Sequence, residues 1–285
     1  MEALANLDGV ILPLAEARVP ALDRGFLLGD AVYEVLRVYG GKPWLEEEHF
    51  RRLGQSLAAI RLAGIDLPRL RARMHETLRA GTFREAIVYL QVTRGAAPRM
   101  HPFPPAARPL EFLYAQELHE PYEAERRDGV GVITHPDVRW GRCDIKSTNL
   151  LANVLACQAA RDAGCLEALL VLPDGTLTEG THTSFFGVLH GTLLTAPNSP
   201  DILPGITRGL VLNLAARAGI PVREHVLQRD DLAKVTELFL TGTTSEVMPV
   251  VKVDDRPIAD GRPGPITRRL QAVYRDAVRE FVAAR

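Results

Sequence analysis

Short β-rich runs alternate irregularly with amphipathic helical stretches along this chain of 285 residues, and that order most constrains its fold. The β-branched and aromatic runs outnumber the helical stretches, and the two kinds follow one another in mixed order. This pattern predicts an α+β fold. Around residues 117–128 the chain becomes polar and loses its periodicity. We therefore predict a small domain over residues 1–117, a linker over 118–128 and a large domain over 129–285.

Turn residues and helical spacing give the clearest local predictions. Gly40-Gly41 follows the β-rich run 31–39 and predicts a two-residue hairpin turn that needs positive φ. Apolar residues at helical spacing predict a helix over residues 46–62 that is ended by Gly64. Residues 95–109 are rich in Pro, Gly and Arg and predict an exposed loop. Further helices are predicted over residues 67–80, 150–161, 206–218 and 264–282.

Composition argues against several classes of protein. A formal net charge of −1 disfavours a nucleic-acid partner or an anionic membrane. The three cysteines are too few and too irregularly spaced for a disulfide framework or a zinc site, which predicts reduced thiols and no metal. The N-terminus lacks the pattern of a signal peptide, and no apolar stretch approaches the roughly 20 residues of a membrane span. We therefore expect a cytoplasmic protein without a membrane partner.

Lys146 lies between a β-rich run and an apolar-periodic helix, in Asp144-Ile-Lys146-Ser-Thr-Asn149. A lysine that is desolvated at such a junction becomes a nucleophile and can hold a carbonyl cofactor as a Schiff base. The simpler interpretation is an ion pair with Asp144 or a helix cap. The local sequence alone favours this simpler interpretation.

Glu179 ends the segment Thr176-Leu-Thr-Glu179, which follows a predicted turn and precedes Gly180. An ionised carboxylate within hydrogen-bond reach keeps a heteroaromatic ring nitrogen protonated, so that the ring can accept electrons from a carbanion. A solvated glutamate at the end of a strand is the alternative.

Two turns have the residues of a phosphate site. Gly205 precedes a predicted helix, and Ile206 and Thr207 offer N–H groups and a hydroxyl at its positive end. Thr243 and Thr244 lie in a hydroxyl-rich turn between two predicted strands. Each turn alone is more commonly an ordinary helix start or Ser/Thr turn. Together with a lysine and a ring-nitrogen carboxylate, however, they complete the parts of a site for pyridoxal 5'-phosphate.

The order and spacing of these segments resemble the fold-type IV pyridoxal-phosphate aminotransferases. These comprise branched-chain aminotransferases, D-amino-acid aminotransferases and aminodeoxychorismate lyases. The resemblance covers nearly the whole chain, from Asp23-Arg-Gly-Phe-Leu-Leu-Gly-Asp30 to Thr244-Ser-Glu246. It implies a two-domain α+β fold with the cofactor at the domain interface. It also implies amino acids and 2-oxo acids as substrates, and a homodimer in which the partner subunit completes the active site.

The resemblance implies a role for each residue that matches the family pattern. Lys146 is the Schiff-base lysine, and Glu179 is the partner of the pyridine nitrogen. Leu203 matches the apolar side chain that packs on the ring face away from the lysine. The residues that match phosphate ligands are Arg52, Ile206, Thr207, Thr243 and Thr244.

Within the family, the first domain resembles the D-amino-acid aminotransferases. Residues 29–39 match their version of this run, where branched-chain enzymes typically carry a Phe-Glu-Gly-Ile-Arg type run. Arg99 and His101 match an Arg-x-His pair that captures the substrate α-carboxylate across the dimer interface, where a guanidinium fork suits a carboxylate. A basic surface loop is the alternative. Tyr33 is expected to line the same carboxylate site with its hydroxyl.

Two positions depart from the D-specific pattern. Residues 181–184 read Thr-His-Thr-Ser where a serine-rich run is usual, so His182 introduces a larger, titratable ring. Arg37 replaces a usual lysine on the strand that faces the side-chain pocket. It either favours acidic substrates, as a substrate-binding residue, or pairs with Glu34.

We therefore predict transamination between a D-amino acid, of the D-alanine or D-glutamate type, and a 2-oxo acid, in two half-reactions. Lys146 carries the α-proton in each. The alternatives are a branched-chain L-amino-acid or promiscuous aminotransferase, an aminodeoxychorismate lyase, and a protein that only stores the cofactor. Storage does not need the electron-sink partner that Glu179 provides, which disfavours the last of these.

Overall fold

The computed structural model describes residues 2–284 and divides into two compact units. The first unit comprises residues 2–119 together with 145–149, and the second comprises 120–144 and 150–284. The Lys146 segment was predicted to lie in the large domain, but by its contacts it groups with the first unit. The reason is backbone pairing, because Ser147 forms an antiparallel bridge with Val32 and the Tyr33 N–H donates to the Lys146 carbonyl at 3.0 Å.

The strands of the first unit form an antiparallel sheet in the order β2-β1-β6-β5-β3-β4. Its strands are β1 (Leu4–Leu7), β2 (Val10–Pro13), β3 (Ala31–Tyr39), β4 (Lys42–Pro43), β5 (Ala86–Thr93) and β6 (Leu110–Glu117). Its helices are α1 (Arg24–Leu28), α2 (Glu46–Ala59) and α3 (Leu67–Ala80), with a 3-10 turn at Leu14–Glu16.

The second unit contains a mixed sheet in the order β12-β11-β10-β13-β14-β7-β8-β9, with β15 paired to β14. Its strands are β7 (Val130–Pro136), β8 (Glu167–Val171), β9 (Leu177–Gly180), β10 (Ser184–Leu189), β11 (Thr192–Thr195), β12 (Val222–Glu224), β13 (Glu237–Gly242), β14 (Glu246–Val253) and β15 (Arg256–Pro257). Its helices are α4 (Glu123–Asp128), α5 (Leu151–Asp162), α6 (Ile206–Arg217) and α7 (Pro265–Ala283), with a 3-10 helix at Arg229–Ala233. Helix α4 lies within the stretch that was predicted to be a linker.

Strand β3 has two faces because successive side chains point to opposite sides of a sheet. Val32, Leu36 and Val38 lie in one core cluster with apolar residues of α2 and α3. The opposite face carries Tyr33, whose ring stacks on Tyr89 of β5 at a centroid distance of 5.5 Å. The alternation places an apolar core on one side of the sheet and a row of aromatic rings on the other.

The second sheet is buried on both faces around strand β13. Leu238 and Leu240 belong to one core cluster, whereas Phe239 between them belongs to another that includes residues of α6 and α7. A strand that is covered on both sides needs a continuous apolar run rather than an alternating one. The sequence Leu238-Phe-Leu240 meets this requirement.

Most predicted elements agree with the structure within a residue or two, but α2 ends earlier than predicted. Its last residue is Ala59, and Arg61 adopts a left-handed conformation at φ 56°. The Leu62 N–H then bonds to the Leu57 carbonyl and the Arg61 N–H to the Ala58 carbonyl. This pair of bonds is a Schellman motif, which closes the helix without a glycine. Gly64 therefore does not end α2.

The predicted hairpin turn and loop are confirmed. Gly40 and Gly41 have φ values of 59° and 84°, as the turn requires. Residues 95–109 contain no helix or strand. Among the helices within residues 2–284, none has the length and apolar character needed to cross a bilayer. The three cysteines are free thiols, and the cytoplasmic location stays a prediction.

The start of the 95–109 loop depends on the absence of a side chain at Gly95. This residue has φ 91°, and a Cβ atom there would lie 1.8 Å from the Arg108 carbonyl oxygen. We expect Gly95→Ala to lower the free energy of unfolding by about 2–3 kcal/mol, because it adds a backbone clash to an unfavourable φ. Urea denaturation measures this change.

Gly64→Ala is the matched control, because Gly64 has φ 83° and no atom lies within 4 Å of the place where a Cβ would stand. It adds backbone strain alone, for which about 1 kcal/mol is expected. Equal losses in the two variants would contradict the role given to the Arg108 contact.

Candidate active site

The backbone of Lys146 is fixed on both sides within the first unit. Its N–H donates to the Ser56 hydroxyl at 3.2 Å, and its carbonyl accepts from the Tyr33 N–H. The Lys146 Nζ lies 4.4 Å from the centroid of the Tyr33 ring. Asp144 pairs with its near neighbour Arg142 at 2.9 Å.

A buried ion pair joins β3 to α2 on the core side of the sheet. The Glu34 carboxylate accepts from Nε and Nη2 of Arg52, each at 2.8 Å, in a bidentate arrangement. Nδ1 of His49 lies 2.7 Å from the same carboxylate. The role of Arg52 as a phosphate ligand stays a prediction, but its guanidinium is held by this carboxylate.

The charges in this cluster follow from burial and pairing. Burial by itself raises the pKa of Glu34, but the charge and hydrogen bonds of Arg52, with help from His49, lower it to about 2. Burial lowers the pKa of His49 in spite of Glu34. His49 is therefore neutral at neutral pH, and its Nδ1–H donates to the Glu34 carboxylate, which can only accept.

Arg37 does not pair with Glu34, which corrects one of the two alternatives for this residue. The two side chains lie on opposite faces of β3 because they are an odd number of positions apart. Arg37 Nη2 instead pairs with Glu85 at 2.9 Å, and its guanidinium lies over the Tyr39 ring at 4.8 Å. Its Nη1 is buried without a hydrogen-bond partner among the described residues. A substrate-binding role for Arg37 stays a prediction.

Arg99 and His101 are exposed at the tip of the 95–109 loop. The loop backbone is nevertheless fastened, because the buried Arg24 donates to the Met100 carbonyl at 2.6 Å and to the His101 carbonyl at 3.2 Å. The structure thus fixes the main chain beside both predicted carboxylate-binding residues and leaves their side chains at the surface.

In the second unit, Glu179 is buried at the end of β9, where an arginine and a backbone N–H donate to its carboxylate. Arg139 Nη1 lies 2.5 Å from one carboxylate oxygen, and the Leu203 N–H lies 3.1 Å from both. The hydrogen bond from its backbone places Leu203 beside the predicted ring-nitrogen partner. The carboxylate is therefore ionised and fixed in orientation.

Arg139 is a site residue that was not predicted from the sequence. Burial lowers the pKa of Arg139, but its hydrogen bond to Asp137 and the charge of Glu179 raise the pKa above the usual value. Burial likewise opposes ionisation of Asp137, yet the hydrogen bond from Arg139 lowers its pKa. The only sequence signal was an Asp-x-Arg pair shortly before Lys146, which is too common to indicate a site.

The first predicted phosphate turn begins α6 without a side-chain cap. Gly205 is the N-cap residue, and a Cβ atom on it would lie 2.5 Å from the Ser184 hydroxyl. The hydroxyl-bearing Thr207 is buried in the first turn of this helix. The positive end of the helix and its N–H groups are thus left for an anion rather than for a capping side chain.

The second predicted turn lies between β13 and β14 and holds a buried hydroxyl. The Ser245 Oγ has no hydrogen-bond partner among the described residues. A Cβ atom on Gly242 would lie 2.6 Å from this Oγ and 3.5 Å from the Thr183 side chain. Thr183 and Ser184 are neighbours, so one segment of chain adjoins both phosphate turns. An anion at this place would satisfy a donor that the protein leaves unpaired.

Residues 181–183 are organised by the buried carboxylate of Glu167. It accepts from the hydroxyls of Thr181 at 2.5 Å and Thr183 at 3.0 Å. Nδ1 of His182 lies 3.1 Å from the same carboxylate, while the ring is 57% exposed. The departure from a serine-rich run thus keeps two hydroxyls turned inward and places an imidazole at the surface. Glu167 was also not predicted, because its position in a strand gave no signal.

The predicted residues fall into two groups, one in each unit. The structure brings together Lys146 and Tyr33 in the first unit, and Glu179 and Leu203 in the second. Arg52 and Arg37 are held by carboxylates that the sequence did not assign to them. The remaining predicted members of the second group are Ile206, Thr207, Thr243 and Thr244, in the two turns that flank residues 183 and 184.

Comparison with known proteins gives full-length matches. The chain matches the family model described as amino-transferase class IV over residues 31–253. It is 39% identical to a D-alanine aminotransferase of Bacillus licheniformis, over 98% of this chain and 97% of that protein. It is 36% identical to a D-alanine aminotransferase of Staphylococcus haemolyticus, over 93% and 94% of the two chains.

Two solved structures have a similar fold. A branched-chain amino acid aminotransferase of Escherichia coli superposes with a TM-score of 0.89 at 26% identity, over 97% of this chain and 94% of that one. A second branched-chain amino acid aminotransferase, solved with pyridoxamine 5'-phosphate, gives a TM-score of 0.89 at 29% identity, over 98% and 94%.

The buried Glu34 carboxylate makes stability depend on pH. Because its folded-state pKa of about 2 lies below its ordinary value of 4.5, its ionised form stabilises the protein above about pH 4.5. That stabilisation is lost as the pH falls through 2. We expect Glu34→Gln to lower the free energy of unfolding at pH 7 by on the order of 3 kcal/mol. Denaturant unfolding between pH 7 and pH 3 should show the deficit shrinking as the pH falls.

Glu47→Gln is the control for this variant. Glu47 pairs with Arg71 on an exposed surface, where ion pairs contribute little. A deficit for Glu34→Gln that stays constant with pH would show that the carboxylate charge is not its cause.

Proposed function

Because the chain belongs to the class IV aminotransferase family, we propose that it transfers an amino group from a D-amino acid to a 2-oxo acid. The family confirms the α+β fold of fold-type IV enzymes, an aminotransferase activity and pyridoxal 5'-phosphate as the cofactor. The proposed donor is of the D-alanine or D-glutamate type. D-alanine is the donor in the names of the relatives from Bacillus licheniformis and Staphylococcus haemolyticus.

The loop of residues 95–109 supports the choice of a D-amino acid as substrate. Arg99 and His101 match the Arg-x-His pair that captures the α-carboxylate in D-amino-acid aminotransferases, and both side chains are exposed on a backbone that Arg24 holds. A branched-chain L-amino-acid aminotransferase is the second candidate, supported by the superposed structures. It is the weaker one, since the identity to those structures is 26–29% and that to the D-alanine aminotransferases is 36–39%. The presence of both carboxylate-binding residues in this loop makes an aminodeoxychorismate lyase the less attractive alternative.

The residues present fit pyridoxal 5'-phosphate by their chemistry. Glu179 offers a fixed, ionised acceptor for the ring nitrogen, and Leu203 lies against that carboxylate through its backbone. The buried Ser245 hydroxyl and the uncapped start of α6 suit a phosphate dianion. The proposed phosphate ligands are Arg52, Ile206, Thr207, Thr243 and Thr244.

Bound pyridoxal phosphate supplies a carbonyl that condenses with amines and a ring that withdraws electrons from the carbon attached to nitrogen. Lys146 Nζ is the amine that would hold this carbonyl and, once released, carry the proton of the substrate α-carbon. Its backbone bonds to Ser56 and Tyr33 limit the positions that the amine can reach. The adjacent Tyr33 ring excludes water from one side of it.

Arg139 stabilises the negative charge of the Glu179 carboxylate, which would face the ring nitrogen. Since it holds Glu179 at 2.5 Å and is itself paired with Asp137 at 2.8 Å, the carboxylate keeps its negative charge without an added proton. A fixed carboxylate that accepts a hydrogen bond favours the protonated form of a pyridine. Glu179 and Arg139 would therefore keep the ring protonated and able to withdraw electrons.

A homodimer is part of the proposal, because the carboxylate-binding side chains are exposed on their own unit. Met100 and Phe103 beside them are exposed, and so is Phe26 on α1. Large apolar side chains that are exposed beside a predicted binding residue suit an interface. A second copy of the chain would cover them and receive Arg99 and His101.

The handedness of the substrate is tested by a single half-reaction. D-alanine added to the holoenzyme without a 2-oxo acid should bleach the visible absorbance of the bound cofactor and release pyruvate. L-alanine at the same concentration should do neither, and D- and L-glutamate form a second pair. We expect Arg99→Ala to lower kcat/KM for D-alanine about a hundredfold, because a charged hydrogen bond to the carboxylate is lost. Faster bleaching by L-alanine would refute the proposed donor.

Subunit mixing tests whether the loop acts across a dimer. Lys146→Ala and Arg99→Ala chains, co-expressed in equal amounts, should regain about a quarter of the active sites, because half of the dimers are mixed and each holds one intact site. Each variant alone should be inactive or nearly so. No recovery, with mixed dimers present by mass spectrometry, would show that the loop serves its own subunit.

A further inference from the structure

Arg24 is a buried arginine whose guanidinium binds a carboxylate and the loop backbone at once. It is 3% exposed and begins helix α1. Its Nε donates to Asp30 Oδ2 at 2.8 Å. Its Nη1 donates to the Met100 carbonyl at 2.6 Å, with the Pro102 carbonyl at 3.4 Å, and its Nη2 to the His101 carbonyl at 3.2 Å. A side chain far away in sequence thus binds three successive carbonyls of the loop.

We propose that Arg24 is a positioning residue for substrate binding: it fixes the backbone of residues 100–102 so that Arg99 and His101 present a preformed receptor for the α-carboxylate. The inference rests on the proposed function of the loop. Arg24 itself is buried and does not touch the substrate. Its effect passes through the main chain of residues 100–102, which includes His101 and directly follows Arg99.

The start of the same loop is fastened by residues that adjoin Arg24 in sequence. The Arg24 N–H donates to the Gly95 carbonyl at 3.0 Å, and the Ala97 N–H to the Leu22 carbonyl at 3.2 Å. Asp23 caps α1 and accepts from the Thr93 hydroxyl at 2.6 Å. The segment around Arg24 therefore holds the loop both where it leaves β5 and at its tip.

The Asp30 carboxylate orients Arg24 and also binds a second arginine, Arg94. Its Oδ2 accepts from Arg24 Nε and from Arg94 Nε, each at 2.8 Å. Arg94 donates to the Ile60 carbonyl at 2.7 Å, and its guanidinium lies 3.7 Å from the centroid of the Phe103 ring. The loop is thus clamped before and after the carboxylate-binding pair, by two arginines that share one carboxylate.

The geometry requires an arginine rather than a lysine at position 24. A guanidinium presents five N–H donors in a rigid planar fork, whereas an ammonium is a point charge on a flexible chain. A lysine can reach Asp30 or one carbonyl, but it cannot span Asp30 and the loop together. Preorganisation of a binding loop lowers the ordering cost that the substrate would otherwise meet.

Arg24→Lys in the holoenzyme tests the inference. We expect kcat/KM for D-alanine to fall about tenfold, mostly through KM, because the carboxylate receptor is no longer preformed. Hydrogen exchange of the amides of residues 99–101 and 103 should increase. The visible absorbance of the bound cofactor should stay as in the unchanged protein.

Arg73→Lys is the matched control, since Arg73, which is partly buried, likewise pairs with a carboxylate, that of Glu111, and donates to a backbone carbonyl, that of Asp8. It lies outside the loop network, so both kinetics and loop exchange should stay unchanged. A triple variant, Arg24→Lys with Arg99→Ala and His101→Ala, separates positioning from a general effect. If Arg24 acts through Arg99 and His101, the triple variant should be no worse than the double variant of Arg99→Ala and His101→Ala.

The outcomes separate this inference from the proposed function. A loss in Arg99→Ala without a loss in Arg24→Lys overturns the role of Arg24 and leaves the proposed substrate in place. Unchanged kinetics in Arg99→Ala overturn both. A fall in kcat at constant KM, or a further loss in the triple variant relative to the double variant of Arg99→Ala and His101→Ala, would show that Arg24 supports the fold rather than the receptor.

Discussion

Strand β3 carries two different environments on one backbone, because its side chains alternate with a period of two residues. Glu34 points into the core and holds Arg52 and His49 of α2, while Tyr33 points the other way, toward the Lys146 amine. A shift of one residue in strand register would turn Tyr33 into the core and Glu34 to the opposite face. Glu34 would then lose its pairing with Arg52. The ion pair therefore fixes both the position of α2 and the face on which the lysine meets its tyrosine.

The second unit also contains two buried carboxylates whose charges need partners. Glu179 is compensated by Arg139, and Glu167 by hydroxyl and backbone donors of residues 181–183. One carboxylate is thus kept charged by a cation, and the other organises the chain that adjoins both phosphate turns. Since these groups are arranged before any ligand arrives, little reorganisation is needed when charge develops nearby.

The parts of the fold that follow local rules could be predicted from the sequence. Proline at the first turn and glycine after the last residue predicted α3 at its observed limits, and Gly40-Gly41 predicted its hairpin. The end of α2 could not be predicted, because a non-glycine residue, Arg61, adopts the left-handed conformation that closes it. The grouping of Lys146 with the first unit depends on pairing with β3 across more than a hundred residues of sequence.

Some residues of the candidate site could be predicted from the sequence, and others could not. Residues in recognisable motifs, such as Lys146 and Glu179, could be identified because their chemistry and spacing form a known set. Arg139, Glu167 and Arg24 could not, since each acts by holding another residue and has no motif of its own. One alternative for Arg37, a pair with Glu34, was wrong. Side-chain partners depend on strand faces and on neighbours such as Glu85, which the sequence alone does not reveal.

The uncapped start of α6 links the stability of the second unit to the concentration of phosphate-bearing ligands. Gly205 leaves N–H groups without a cap because a side chain at this position would collide with Ser184, and Ser245 adds a buried hydroxyl that is unsatisfied among the described residues. A ligand that binds only the folded state stabilises it by mass action, in proportion to the logarithm of its concentration. Cofactor supply would then govern not only how many molecules are active but also how long each one survives heat and proteolysis.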